Sequence, residues 1–128
     1  MMTILQIGFG PLGIQTGRYI SQKETLTTVA VVDLSPQLIG KTLNEIAIDL
    51  PHNASVFASV KEAIKALDKV PDIAIITTVS SLEKLIPQVK DVAEFGIPVI
   101  STCEELSNPW QLQPELSEKL DNLCKEHQ

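Results

Sequence analysis

A glycine cluster, Gly8-Phe9-Gly10-Pro11-Leu12-Gly13, follows directly on the apolar run Met2 to Ile7, and an acid, Asp33, stands twenty residues beyond its last glycine. An apolar run that opens an α/β chain reads as a buried parallel strand. Glycines just beyond such a strand let the backbone turn sharply and approach a pyrophosphate with no Cβ in the way. The amides at the start of the following helix then face the phosphates. Glycines at this spacing occur in many loops, so the reading rests on context: a strand before, a helical segment after, and an acid at the expected distance. All three are in place, and the pattern predicts a dinucleotide-binding turn with Gly8, Gly10, Pro11, Leu12 and Gly13 against the ligand.

The run Leu26 to Val32 is rich in β-branched residues and ends at Asp33. It has the form of a second parallel strand whose tip holds a ribose through the Asp33 carboxylate, with Leu34 and Ser35 beside it. A 2′-phosphate at that place would meet like charge, and Leu34 stands where a phosphate clamp would carry arginine or lysine. NAD is therefore favoured over NADP, with NADP still possible and Lys41 the nearest cation able to change the preference. The competing reading is that Asp33 only begins a turn ahead of Ser35-Pro36.

A length of 128 residues suits one domain. The net charge of −6 and a pI near 4.8 supply no field that would attract nucleic acid or an anionic membrane surface. No apolar run approaches the ~18 residues of a membrane span, and a cytoplasmic location is expected. Cys103 and Cys124, 21 positions apart with no histidine at ligand spacing, suggest neither a disulfide framework nor a metal site. Two buried thiols are the expectation.

Further along, strand and helix signals alternate with short connections. A helix is expected from Pro11 to about Ile20, and a second, interrupted by Gly40, over Pro36 to Ala47. Pro51 to Asn53 reads as a turn, Ser55 to Ala58 as a short strand, and Val60, Ala63, Ile64 and Leu67 recur at helical spacing. Asp72 to Thr78 reads as a fourth strand. Leu82, Leu85, Ile86, Val89, Val92 and Ala93 then mark a helical face that either kinks at Pro87 or begins there. Gly96 ends that helix, Ile97 to Thr102 forms a fifth strand, and Leu112, Leu116, Leu120 and Leu123 line a last helix. The fold class that follows is α/β: a Rossmann-type doubly wound parallel sheet in order 3-2-1-4-5, forming a single domain over residues 1–128. Ligands bind such sheets beyond the carboxyl ends of the strands, where the order reverses.

Four loops meet at that crevice. Besides Gly8 to Gly13 and Asp33 to Ser35, they are Thr77-Thr78-Val79-Ser80-Ser81 and Cys103-Glu104-Glu105. The hydroxyls of Thr77, Thr78 and Ser80 are short enough to reach ribose or water, and Val79 to lie against a ring; equally, Ser80 or Ser81 can cap the next helix. Glu104 and Glu105 are either a solvated first helical turn or include an acid that works on substrate beside a nicotinamide ring, with Cys103 against the cofactor. Gly10→Val is expected both to block the pyrophosphate and to strain the turn.

The glycine turn, Val31-Val32-Asp33, Thr77-Thr78 and above all the stretch Ser101 to Trp110 resemble the N-terminal domain of 2,4-diaminopentanoate dehydrogenases and of the related dihydrodipicolinate-reductase-like and native amine dehydrogenases. The resemblance covers nearly the whole chain. It implies reversible NAD(P)-linked oxidative deamination of an amine, with an acid after the fifth strand handling the amine or its imine; Glu104 is the first candidate and Glu105 the second. Such enzymes continue into a second domain that closes over the nicotinamide, so these residues alone are expected to bind cofactor without efficient turnover. An apolar edge at the fifth strand suggests self-association into a homo-oligomer. Two alternatives stay open: a regulatory domain that senses NAD or another adenosine ligand without chemistry, and a domain that has kept the fold but lost the ligand. An S-adenosylmethionine site is disfavoured by Leu12, where such turns want a smaller residue.

Overall fold

The computed structural model describes residues Met1 to His127. Parallel pairing of apolar runs builds a five-stranded sheet in the order β3-β2-β1-β4-β5. The strands are β1 (Met2–Ile7), β2 (Leu26–Val32), β3 (Val56–Phe57), β4 (Ile73–Ile76) and β5 (Val99–Ser101). In β1 the residues from Ile4 to Ile7 are buried on both faces, as a central parallel strand requires. Helices α1 (Pro11–Ser21) and α2 (Leu43–Ile46) follow β1 and β2, while α3 (Val60–Ala66), α4 (Leu82–Ala93), α5 (Pro109–Leu112) and α6 (Pro114–Glu126) follow the later strands.

The core divides by face. Leu5, Ile7, Ala30, Val32, Ala74 and Ile76 pack against α3, α4 and α6, with the apolar stripe of α4 wholly inside. On the other face Phe9, Val31, Leu43, Leu50, Ala54 and Val56 form a second cluster beside α1. On the α1 side a hydrogen-bonded polar pair, Gln6 and Thr28, is buried as well. Gln6, 1 % exposed, donates from Nε2 to the Gly13 carbonyl at 2.9 Å and accepts from Thr28 Oγ1 at 2.8 Å. A lone amide there would cost roughly 1–3 kcal/mol unpaired; paired, it ties the first turn of α1 to β1 and β2.

The strand order, and the helix expected from Pro11 to Ile20, are found as anticipated. The helix expected over Pro36 to Ala47 shrinks to Leu43–Ile46, because Gly40 adopts a left-handed φ of 88° and Thr42 opens a new helix through a capping box with Glu45. At Pro87 the helix does not begin anew, since α4 runs from a Ser81 cap through the proline. Pro87 is exposed, and its cost of ~3 kcal/mol is outweighed by burial of Leu82, Leu85, Ile86, Val89 and Val92 at roughly 1.5–3 kcal/mol each. Leu112 is not on the last helix: Gln113, kept out of helical backbone ahead of Pro114, separates α5 from α6 and leaves Leu112 exposed. Leu116, Leu120 and Leu123 do pack on the core. Of the two thiols, Cys103 is buried but Cys124 is exposed on α6, where partial desolvation and the Asp121 carboxylate raise its pKa.

At the amino ends of the central strands Asp72 accepts from Thr3 N at 2.8 Å and Thr3 Oγ1 at 3.1 Å, and these bonds hold its carboxyl below the usual range. A depressed carboxylate pKa contributes stability above the unfolded value, near 4, that is lost as pH falls through the folded one. Asp72→Asn is therefore expected to lower the urea midpoint at neutral pH, with the gap to wild type closing in acid. Midpoints measured across that range check it; a gap constant with pH would refute the linkage.

Candidate functional site

Gly8 turns the chain out of β1 with a φ of 100°, and its amide donates to Val32 O at 2.8 Å. A Cβ there would lie 2.7 Å from Thr78 Cγ2. The tighter place is Gly13, where a Cβ would stand 2.2 Å from the Gly8 carbonyl oxygen; any side chain would drive α1 away from the turn. Gly10 differs from both. Its φ is −76° and a Cβ would meet nothing within 4 Å, so the expected strain there is absent and the need for glycine lies in the space outside. Pro11 opens α1 and carries no amide, which leaves the Gly10, Leu12 and Gly13 N–H groups as the donors at the head of the helix.

Asp33 sits beside this turn at the tip of β2. Its Oδ2 accepts from Phe9 N at 2.7 Å and its Oδ1 from Ser35 N at 2.9 Å. The turn-starting role and a place at the glycine loop thus coexist in one carboxylate. Both oxygens keep further lone pairs for a ligand. Leu34 is 83 % exposed and has no part in the core. Lys41, the nearest cation in sequence, does not line the cleft next to Asp33.

That cleft, about 450 Å³, opens over the carboxyl ends of β1 and β2 and is lined by Ile7, Asp33, Leu34, Ser59, Thr78 and Asp91 among others. Another hollow of about 410 Å³ lies at the opposite end of the sheet near Ile20, Leu26 and Leu50, away from the glycine turn.

After β4, Thr77 donates from Oγ1 to the Ile7 and Gly8 carbonyls at 3.4 Å, buttressing the turn. Thr78 donates to Gln88 Oε1. Val79 packs on the core, and the Ser80 carbonyl accepts from Glu105 N at 3.3 Å. The helix cap falls to Ser81, whose Oγ accepts from Lys84 N.

Beyond β5 the 3-10 turn Glu104–Ser107 separates the two acids. Glu105 Oε1 accepts from Leu82 N at 2.8 Å, at the amino end of α4, and Oε2 from Gln113 Nε2 at 3.3 Å. It binds three segments together. Glu104 is exposed, and among the described residues its carboxylate has no hydrogen-bond or ion partner. Cys103 is 4 % exposed with its side chain in the core, which leaves only its main chain for contact with a ligand. Among the described residues no group of three His, Cys, Asp or Glu is placed to hold a metal ion, and no helix is long and apolar enough to cross a membrane.

Sequence reasoning missed Ser59, Gln88 and Asp91 as cleft residues. Ser59 carried the signal of a helix cap and indeed accepts from Glu62 N at 3.2 Å. Gln88 and Asp91 share one helical face by spacing, but only the packing of α4 brings that face to the tip of β2.

A glycine turn at the point where the strand order reverses, with an acid on the neighbouring strand, defines a Rossmann-type nucleotide-binding domain. The chain belongs to the CoA binding domain family, whose model matches residues 1–106. It is similar to the 2,4-diaminopentanoate dehydrogenase of Acetoanaerobium sticklandii, with 26% identity over 124 residues, covering 97% of this chain and 35% of that protein. Among solved structures it resembles the amine dehydrogenase from Mycobacterium smegmatis, with a TM-score of 0.84 and 26% identity over 98% of this chain and 37% of the other. The scyllo-inositol dehydrogenase from Lactobacillus casei, solved with NAD(H) and scyllo-inositol, shares the fold at a TM-score of 0.69 and 19% identity, covering 99% of this chain and 34% of its own. The chain thus spans about a third of the length of the relatives it matches.

Two predictions follow from the geometry of the turn and of the acids. Gly10→Ala is expected to cost no more than about 1 kcal/mol of stability yet weaken nucleotide binding roughly tenfold or more, whereas Gly13→Ala loses about 1–3 kcal/mol of stability as well; urea titration beside calorimetry separates the two. Glu105→Ala is expected to destabilise the fold by about 1–2 kcal/mol, as loss of a helix-end carboxylate does, while Glu104→Ala leaves the melting temperature unchanged.

Proposed function

We propose that this chain binds NAD and serves as the cofactor domain of an amine dehydrogenase-like oxidoreductase, which carries out reversible oxidative deamination of a small amine or diamino acid. The observation that carries the reading is the open space at Gly10, beside the Asp33 carboxylate, at the head of α1. In it, the Gly10, Leu12 and Gly13 amides would hold the pyrophosphate while Asp33, already oriented by Phe9 N and Ser35 N, accepts from the adenosine ribose. The absence of a cation from the cleft lining favours NAD over NADP. The same carboxylate would repel the phosphate that coenzyme A carries on its ribose, so the family's name does not by itself specify the ligand here.

NAD, when bound, supplies the hydride acceptor. The resemblance to amine-oxidising relatives supports Glu104 as the group that holds the substrate ammonium or iminium, and its unpaired, exposed carboxylate suits that role. Glu105 is committed to α4 and Gln113. Self-association through the β5 edge, where Ile100 is 56 % exposed, and a cytoplasmic location, in keeping with two free cysteines, belong to the same proposal.

Calorimetric titration with NAD, NADP, ADP, ATP and coenzyme A tests it. NAD is expected to bind best, and Asp33→Asn to weaken it by about 1.5–3 kcal/mol, roughly tenfold to a hundredfold, while narrowing the margin over NADP. Preference for ATP or ADP would replace this reading with a nucleotide sensor, and an unchanged NAD affinity in Asp33→Asn would refute the ribose role. Supplying the substrate domain of a relative in trans, with aliphatic amines, then compares Glu104→Ala with Glu105→Ala.

A further inference from the structure

Helix α1 carries the amides that open onto the crevice, yet little apolar packing determines where along its axis it comes to rest. Of its residues only Gly13, Gly17 and Ile20 are buried, with Ile14 half-buried against the second cluster. Two glycines one turn apart present a smooth strip to the sheet, whereas interlocking of helix ridges needs side chains. The helix rides on the Gln6 carboxamide instead: a Cβ at Gly17 would stand 3.3 Å from Gln6 Oε1 and 3.4 Å from Phe9 Cε1.

That carboxamide has one workable orientation. The Gly13 carbonyl can only accept, so Gln6 must present Nε2 to it, at 2.9 Å, and Oε1 to the Thr28 hydroxyl, at 2.8 Å. Inside a helix the Gly13 carbonyl also receives the amide four residues on, so it does not need Gln6 to be satisfied. What the bond adds is place. It pins the first turn of α1 to one point on β1, and Thr28 holds that point from β2. Neither side chain lines the cleft beside Asp33, and Thr28 borders the hollow at the opposite end of the sheet. We propose that Gln6 is a positioning residue for the bound pyrophosphate: through the Gly13 carbonyl it sets where the Gly10, Leu12 and Gly13 amides stand relative to Asp33, and Thr28 orients it. The proposal rests on the dinucleotide reading above and adds to it two groups that never meet the ligand.

The double variant Gln6→Leu/Thr28→Val separates place from stability, since replacing both members of a buried hydrogen-bonded pair by apolar groups of similar shape is close to neutral for folding. Its calorimetric affinity for NAD and for ADP is expected to fall roughly tenfold, on the scale of one hydrogen bond to a charged group, at a melting temperature near that of wild type. Adenosine, which lacks the pyrophosphate, should bind both proteins alike in an NMR titration. Thr28→Val alone should weaken NAD in the same direction, and Thr28→Ser, which keeps the hydroxyl, should bind it as wild type does. Undiminished NAD affinity in the folded double variant, or in Thr28→Val if the double variant does not fold, would overturn the proposal while leaving the dinucleotide site standing. Equal weakening of adenosine would overturn it too, because the damage would not be confined to the phosphate end. Failure of wild type to bind NAD would overturn both this proposal and the cofactor reading.

Discussion

No side chain fits between Gly13 and the carbonyl of Gly8, and that exclusion sets the distance at which α1 leaves the sheet. Everything at the site depends on it. With the helix this close, its first amides open onto the crevice instead of onto a neighbouring side chain. The left-handed Gly8 directs the chain back under α1, and Gln6, buried in β1, holds the Gly13 carbonyl from below. The turn is thus fixed from two sides before any ligand arrives, so binding need not supply the ordering of the loop.

Two carboxylates illustrate how structural and ligand-directed roles are divided. Asp33 accepts one backbone amide on each oxygen, which orients it without exhausting its lone pairs. Glu105 likewise accepts one bond on each oxygen, but its donors, Leu82 N and Gln113 Nε2, tie together α4, the 3-10 turn and the segment before α6, so its position is structural. Glu104 is exposed and, among the described residues, has no such ties. Its freedom is a consequence of its neighbour's commitment: the 3-10 turn that brings Glu105 onto Leu82 N turns Glu104 outward.

How much was legible in the chain varied with the range of the interaction responsible. The glycine turn, the start of α1 at Pro11 and the strand order followed from local rules, namely proline at a first helical position, apolar runs at parallel strands and right-handed crossovers. The interruption at Gly40 after Asp33 was legible from the glycine itself, but not that only Leu43–Ile46 of the stretch would be helical. Continuity of α4 through Pro87 was not legible either, because it is decided by burial against the sheet and not by the local penalty. Leu112 kept the apparent spacing of the last helix, but Pro114 breaks the chain between them. Cys124 was misjudged because its exposure depends on which face of α6 packs against α4.

By itself, the sequence determined that this chain is a doubly wound α/β domain with a glycine turn and an acid at adjacent strand tips, since apolar strand runs, helix starts and turn chemistry are each written in residues close in the chain and crossover handedness then limits the strand order. Which of two adjacent glutamates is free, where Cys103 points, and that Gln88 and Asp91 face Asp33 across a cleft were settled only by tertiary structure. Those features bring together residues separated by tens of positions, and their placement follows from how α4 and the 3-10 turn pack, a packing that no local pattern encodes.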